Sequence, residues 1–254
     1  MAAPAFLRRI HGQVWPMVFK AIHLRQRAFR CPLCGYRGPF ETICGLVERR
    51  QHARCPRCRA LERHRLMAMV LAPLLNSMDT SRQRLLHVAP ERQLGAVLRA
   101  RFGRYESADL FMPGVDHRVD LRAMPFPDAS FDMVIAAHVL EHIREDHQAV
   151  AEIRRILRPG GIAILPVPII APQTVEYPEP NPAEGGHVRA PGADYYNRLV
   201  PSFTRVELRW SQDVEESCQP FIYEDRSRWP DSRCPYRPAM AGSRHADVIP
   251  ICWA

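Results

Sequence analysis

Four cysteines of this 254-residue sequence stand as two matched pairs, Cys31-Pro-Leu-Cys34 and Cys55-Pro-Arg-Cys58, with 20 residues between them. Tetrahedral zinc takes four thiolates, and a two-residue gap lets both sulfurs of a pair turn inward from one tight knuckle. Gly35 supplies the positive φ that such a knuckle needs. A disulfide or a redox Cys-x-x-Cys would explain one pair but not two. The expectation is therefore a Zn2+ ion held by Cys31, Cys34, Cys55 and Cys58, structural because four sulfurs leave no open position on the metal. Cys44, Cys218, Cys234 and Cys252 lack ligand spacing and read as ordinary thiols. The pattern suits a reducing compartment, and a cytoplasmic location is expected.

A second concentration of reactive side chains runs from Asp120 to Ile143, including His138, Glu141 and His142, with Glu91, Asp109, His187 and Arg189 outside it. Histidine and carboxylate can act as general bases on a hydroxyl. His138 is the preferred candidate and His187 the second. Glu141 and His142 are equally explained as a cap or ion pair at a helix start. His187 and Arg189 could bind an anionic ligand or satisfy a loop. Asp128 and Asp132 are read as fixing the turn before a strand.

The elements that must position these residues alternate. Leu85–Ala89, Tyr105–Leu110, Arg118–Leu121, Phe131–Ala137 and Ile162–Val167 read as strands, with Phe203–Trp210 and Asp247–Trp253 as the sixth and last. Between them, Gln93–Phe102 presents Leu94, Val97 and Leu98 on one helical face, and Glu145–Leu157 is a helix that Pro159-Gly160-Gly161 stops. This is an α/β pattern with a mostly parallel, seven-stranded sheet flanked by helices. Ligands of such sheets sit beyond the carboxyl ends of the strands, which gathers Ala89 to Glu91, Asp109, Asp120, Ala137 and His138 at one crevice.

The segment Pro166–Pro191 carries seven prolines and reads as a long functional loop, and 211–245 shows no readable structure. Upstream, Ala60–Met78 is a helix with Leu61, Leu66, Met69, Val70 and Leu74 in register, kinked or ended near Pro73. The organisation expected is a basic segment 1–30, a small zinc-ribbon-like module 31–59, a connecting helix and linker 60–83, and the main domain 84–254.

A hydrophobic content of 46% supports a sizeable core. The net charge of +8 invites a nucleic-acid reading, but only Lys20 among 35 basic residues is lysine, a skew typical of codon bias. No apolar run approaches the ~20 residues of a membrane span. Arg8, Arg9, Lys20, Arg25, Arg27 and Arg30 all precede Glu41, the first acid, and are read as a basic helix or tail beside the module. Arg8 and Arg9 also interrupt the apolar stretch that a secretory signal would need.

The run Asp120 to Phe126, Ser130-Phe-Asp-Met-Val-Ile135, His138-Val-Leu-Glu-His142 and Leu157-Arg-Pro-Gly-Gly161 together resemble the Rossmann-like class I methyltransferases dependent on S-adenosylmethionine, close to the type 11 subfamily. The resemblance covers about 85–168. The whole chain further resembles a bacterial-type branch with a four-cysteine module, Glu62-Arg-His-Arg65, an Ala89-Pro90-Glu91 turn and a later His187-Val-Arg189. The resemblance implies S-adenosylmethionine as cofactor. Asp109 would accept from its ribose hydroxyls, Asp120 and Leu121 would lie against its adenine, and Ala137 and His138 would line its methionine end.

One departure concerns the first loop, where the family has Gly-x-Gly and this chain has Ala89-Pro90-Glu91-Arg-Gln-Leu-Gly95. Only Gly95 remains, and Glu91 is expected to bind the methionine ammonium instead. The acceptor is read as a small or saccharide-like molecule, anionic if His187 and Arg189 bind it. Two alternatives remain: an RNA or DNA methyltransferase that grips nucleic acid through the module, and a non-catalytic donor-binding module. Ala136-Ala-His-Val139 lacks the Asn/Asp-Pro-Pro-aromatic motif of enzymes that methylate base amino groups.

Overall fold

The computed structural model describes residues 5–44 and 49–254, with side chains from Val14 onward; those of Arg8 and Arg9 lie outside the described residues. Chain order gives α1 (Ala5–Ile22), then the short strands β1 (Phe29–Arg30), β2 (Arg37–Gly38), β3 (Glu41–Cys44) and β4 (Arg49–Arg54), then α2 (Glu62–Asn76). The larger unit continues with β5 (Arg84–Val88), α3 (Arg92–Arg99), β6 (Arg104–Asp109), β7 (His117–Arg118), β8 (Phe131–Ala136), α4 (Asp146–Ile156) and β9 (Leu157–Ile164). A hairpin of β10 (Val175–Asn181) and β11 (His187–Ala190) precedes β12 (Arg205–Trp210), β13 (Ile222–Tyr223), β14 (Arg244–His245) and β15 (Val248–Trp253).

The main sheet has seven strands in the order β12-β15-β9-β8-β5-β6-β7. β5 through β9 run parallel, while β15 pairs antiparallel with both β9 and β12. The connections leave β5 in one direction and β8 in the other, so the topological switch point lies between these two strands. Adjacent residues of β5 face opposite layers. Leu86 and Val88 join α4, Tyr195 and Leu199 on one side, while Leu85 packs with Leu66, Val70 and Leu71 of α2 and Leu94 and Leu98 of α3 on the other. Alternating apolar side chains on strands buried on both faces explain why these runs are nearly all hydrophobic.

Several expectations change at this level. α2 runs three residues past Pro73, and it buries Met67, Leu71 and Leu75 while Met69 and Leu74 stay half-buried. It lies between the module and the main domain in the chain and packs against the main sheet. On α3, Val97 is exposed. The third strand is only His117–Arg118, because the Asp120 carboxylate accepts the Arg122 backbone N–H at 2.9 Å and turns the chain.

α4 ends at Ile156, before Pro159-Gly160-Gly161. Those residues bulge out of β9, since Phe131 pairs with Leu157 but Met133 pairs with Ile162. Gly160 takes φ +76, and a Cβ on Gly161 would come within 2.9 Å of the Arg158 carbonyl. Of the Pro-rich segment, residues 166–174 are loop, and the remainder is the antiparallel hairpin β10/β11.

The unreadable stretch supplies β13 and β14, which extend the module's own strands into one four-stranded sheet, β14-β13-β4-β3. A buried arginine fixes this junction. Arg65 of α2 is 0% exposed and donates to the carbonyls of Ala53 (2.9 Å), Ala60 (2.8 Å) and Gln219 (2.9 Å). Module, helix and C-terminal insertion therefore form one body, so sheet pairing crosses the boundaries expected at 59 and 83.

Candidate active site

The two cysteine pairs adopt matching knuckles. Gly35 N–H donates to the Cys31 carbonyl and Arg59 N–H to the Cys55 carbonyl, each at 2.9 Å. The residue fourth after the first cysteine takes positive φ in both, +72 at Gly35 and +64 at Arg59. The four Sγ atoms converge, with Cys31 and Cys58 3.5 Å apart and Cys34 and Cys55 3.7 Å apart. Thiolates bound about 2.3 Å from one tetrahedral zinc ion sit about 3.8 Å from each other. The donor set fits zinc.

At the switch point the chain leaves both central strands through residues in the left-handed region, Ala89 at φ +46 after β5 and His138 at φ +56 after β8. Each such conformation costs a non-glycine residue on the order of 1–3 kcal/mol, and such residues cluster at ligand sites. Ala89 thus takes for itself the conformation that glycine would supply in a Gly-x-Gly loop. The Glu91 carboxylate is clamped at Oε1 by His64 Nε2 (2.7 Å) and Arg63 Nε (2.8 Å). Burial alone would raise its pKa, but His64 and Arg63 hold it well below the usual carboxylate range. Among the described residues no donor reaches Oε2.

Asp109 ends β6, and its Oδ1 accepts from the N–H groups of Phe111 and Met112, both at 2.7 Å. Val119 N–H donates to the Asp109 carbonyl at 3.1 Å, which brings Asp120 alongside. The Asp120 carboxylate is forked by Arg122, which keeps it ionised below its ordinary range. Leu121 and Ala137 are both buried, each in one of the two core layers beside the sheet. Gly95 lies inside α3, where an added Cβ would meet the Tyr105 hydroxyl at 3.3 Å, so packing accounts for this glycine. Asp128 and Asp132 are scaffold: Arg155 reaches Asp128 at 2.7 Å and Arg158 reaches Asp132 at 2.8 Å.

Beside the switch point lies a cavity of about 260 Å³ whose walls include His138, Glu141, His142 and His187. Glu141 is fully buried, and neither carboxylate oxygen has a hydrogen-bond partner among the described residues. The ring nitrogen nearest to it is His138 Nδ1, 3.5 Å from Oε1. Burial pushes the Glu141 pKa up, but the His138, His187 and His142 rings bring it below its ordinary value. His187 lies with Nε2 4.0 Å from Glu141 and Nδ1 3.5 Å from Glu184. Arg189 does not face the cavity as an anion receptor. Its guanidinium is buried and donates to the carbonyls of Leu140 (2.8 Å), Ile143 (2.7 Å) and Arg144 (3.0 Å).

Other cavity residues come from outside the expected site: Arg50 from the module, Arg63 from α2, and Glu224, Arg226 and Arg237 from the C-terminal insertion. Only the Glu62-Arg-His-Arg65 string hinted at them.

Counted along the chain, the main sheet reads 3-2-1-4-5-7-6 with the seventh strand antiparallel, a doubly wound fold with its ligand crevice between the first and fourth strands. Residues 85–165 match the family model described as a methyltransferase domain. The chain is similar to a probable S-adenosylmethionine-dependent methyltransferase of Mycolicibacterium smegmatis, 43% identical over 56 residues, 20% of this chain and 22% of that protein. It is also similar to an uncharacterized methyltransferase of Mycolicibacterium vanbaalenii, 28% identical over 125 residues, 44% of this chain and 49% of that one. A solved S-adenosylmethionine-dependent methyltransferase from Mesorhizobium loti aligns over 74% of this chain and 99% of its own, with TM-score 0.48 and 15% identity. The matches span between about a fifth and a half of the curated relatives' lengths.

Proposed function

We propose that the protein is an S-adenosylmethionine-dependent methyltransferase acting on a small, polar, saccharide-like acceptor. The observation that carries the acceptor class is the cavity. It holds about 260 Å³, a volume for a small metabolite, and it is walled by the sheet edge, the β10/β11 hairpin, α2 and the C-terminal insertion. In the nucleic-acid alternative Arg49, Arg50 and Arg54 would make the grip, and two of the three are already engaged, Arg50 with Glu62 at 3.4 Å and Arg54 with Glu41 at 2.5 Å.

The donor's place in this reading is the turn Ala89-Pro90-Glu91 with Asp109, Asp120, Leu121, Ala137 and His138 around it. Glu91 Oε2 would accept from the methionine ammonium, and Asp109 Oδ2 from the ribose. S-adenosylmethionine supplies an activated sulfonium methyl, so the protein has mainly to align the acceptor for in-line displacement. His138, at the strand end and on the cavity wall, would take the acceptor's proton, with His187 as the second candidate. Zinc at Cys31, Cys34, Cys55 and Cys58 would tie together the module that closes one side of the cavity.

The test is a transfer assay on the full chain with methyl-labelled donor, offering pooled sugars and polyols beside RNA and DNA oligonucleotides. Label is expected in a small-molecule fraction and lost with His138→Ala. Label found only in RNA or DNA would overturn the acceptor class.

A further inference from the structure

We propose that Glu141, His142 and His187 form a second metal site, for a divalent first-row cation with open coordination positions toward the cavity. Each offers one ligand atom, and these atoms lie within 4.8 Å of one another. The 4.0 Å between His187 Nε2 and Glu141 Oε1 is too long for a hydrogen bond. Two ligands each about 2.1 Å from a shared ion lie about 3.0–4.2 Å apart, and this separation falls in that range.

The second observation is electrostatic. Glu141 has a side chain only 1% exposed, and both its oxygens are unpaired among the described residues. An ionised carboxylate removed from water needs a compensating charge. Arg189, the strongest cation nearby, donates to the backbone of the same turn instead.

Further buried charged groups flank this cluster. Glu184, itself 0% exposed, lies 3.5 Å from His187 Nδ1. It is fixed by the Tyr177 hydroxyl at 3.1 Å and Arg237 at 2.7 Å. Nδ1 has no hydrogen-bond partner among the described residues, so Glu184 faces this nitrogen without bonding to it, and Nε2 is the nitrogen turned toward Glu141. Arg189 holds the carbonyls on both sides of His142, which fixes the turn that carries two of the three ligands. Two imidazoles and one carboxylate suit Mn2+, Fe2+, Co2+, Ni2+ or Zn2+, whereas the four-thiolate module selects softer binding. Three protein ligands leave room for an oxygen from solvent or acceptor.

The role of the ion rests on the methyl-transfer reading, while its binding does not. An acceptor hydroxyl on the ion would give its proton to His138, its oxygen would bond to the methyl carbon, and the carbon–sulfur bond would break to leave S-adenosylhomocysteine. The site would thereby favour acceptors that are methylated on oxygen.

The experiment titrates full-length protein, carrying its cysteine-bound zinc, with MnCl2 and follows the free Mn2+ signal by electron paramagnetic resonance. Mn2+ is a hard ion that will not displace zinc from thiolates. One saturable Mn2+ per chain is expected, with affinity at least tenfold weaker in Glu141→Gln and in His142→Ala. His142 is exposed, so its removal leaves the core intact, and S-adenosylhomocysteine binding reports that both variants are folded. No saturable Mn2+ up to millimolar concentration, or unchanged affinity in His142→Ala, would overturn the site. If S-adenosylhomocysteine still binds in that case, the methyltransferase reading survives and only the metal site falls.

Discussion

Replacing Arg189 with methionine separates a positioning role from acceptor binding. The side chain is 1% exposed and donates to three carbonyls of the 140–144 turn and to Glu176 at 3.0 Å. Methionine fills much of the same volume and donates nothing. A buried acceptor left unpaired costs about 1–3 kcal/mol, but relaxation of one shared turn keeps the three carbonyls from adding fully. Breaking a buried charged network by removing one partner costs about 3–5 kcal/mol, and we take about 4 kcal/mol here. At a urea slope of about 3 kcal/mol per molar, the unfolding midpoint should fall by about 1.3 M. Urea titration followed by circular dichroism reads this directly. Donor affinity should stay nearly constant in the folded variant, because none of the donor-side residues bonds to Arg189. An unmoved midpoint together with lost turnover would refute the reasoning and return Arg189 to the acceptor.

Further outcomes follow from the same contacts. Metal analysis should find zinc at about one equivalent per chain. Its removal by chelator should lower thermal stability and loosen the insertion as well as the module, because β13 pairs with β4; loss of protection confined to residues 29–59 in hydrogen exchange would contradict the shared sheet. Asp109→Ala should weaken S-adenosylhomocysteine binding about tenfold, one charge-assisted bond's worth. Asp109→Asn should weaken it less, since the amide oxygen still accepts from Phe111 and Met112. Unchanged affinity in both would misplace the ribose.

Glu184 sets an acid limb to stability. Burial would raise its pKa, but His187 and Arg237 bring it from the ordinary 4.5 down to about 2. A folded pKa below the unfolded one means the stabilisation is present above about pH 4.5 and is lost as pH falls toward 2. Glu184→Gln should flatten that part of a stability–pH curve, and parallel curves would contradict the assignment.

The sheet was legible because its strands are short apolar runs separated by helices of clear period, and the Cys-x-x-Cys pairs carry their geometry in their spacing. What was not legible had physical reasons. β10 contains Pro178 and Pro180, which argue against a strand, yet the hairpin has a free edge where a missing N–H does no harm. β13 and β14 are two residues each, too short to show any period. Arg65 and Arg226 look like surface charge, and Arg189 like an anion receptor, in a sequence with 34 arginines among its 35 basic residues. In the fold they are buried and bond to backbone carbonyls, a role that only long-range contacts define. Around the switch point, Asp109 ends β6 and His138 follows β8, as the strand pattern expects, whereas Asp120 lies in the turn beyond β7. Glu141 and His187 meet across 46 residues through the hairpin that the prolines concealed.

The central claim is that the crevice between β5 and β8 binds the methyl donor. Isothermal titration of the zinc-loaded full chain with S-adenosylhomocysteine tests it most directly. Saturable one-to-one binding that Asp109→Ala weakens is expected. Absence of saturable binding by folded, zinc-loaded protein would contradict it.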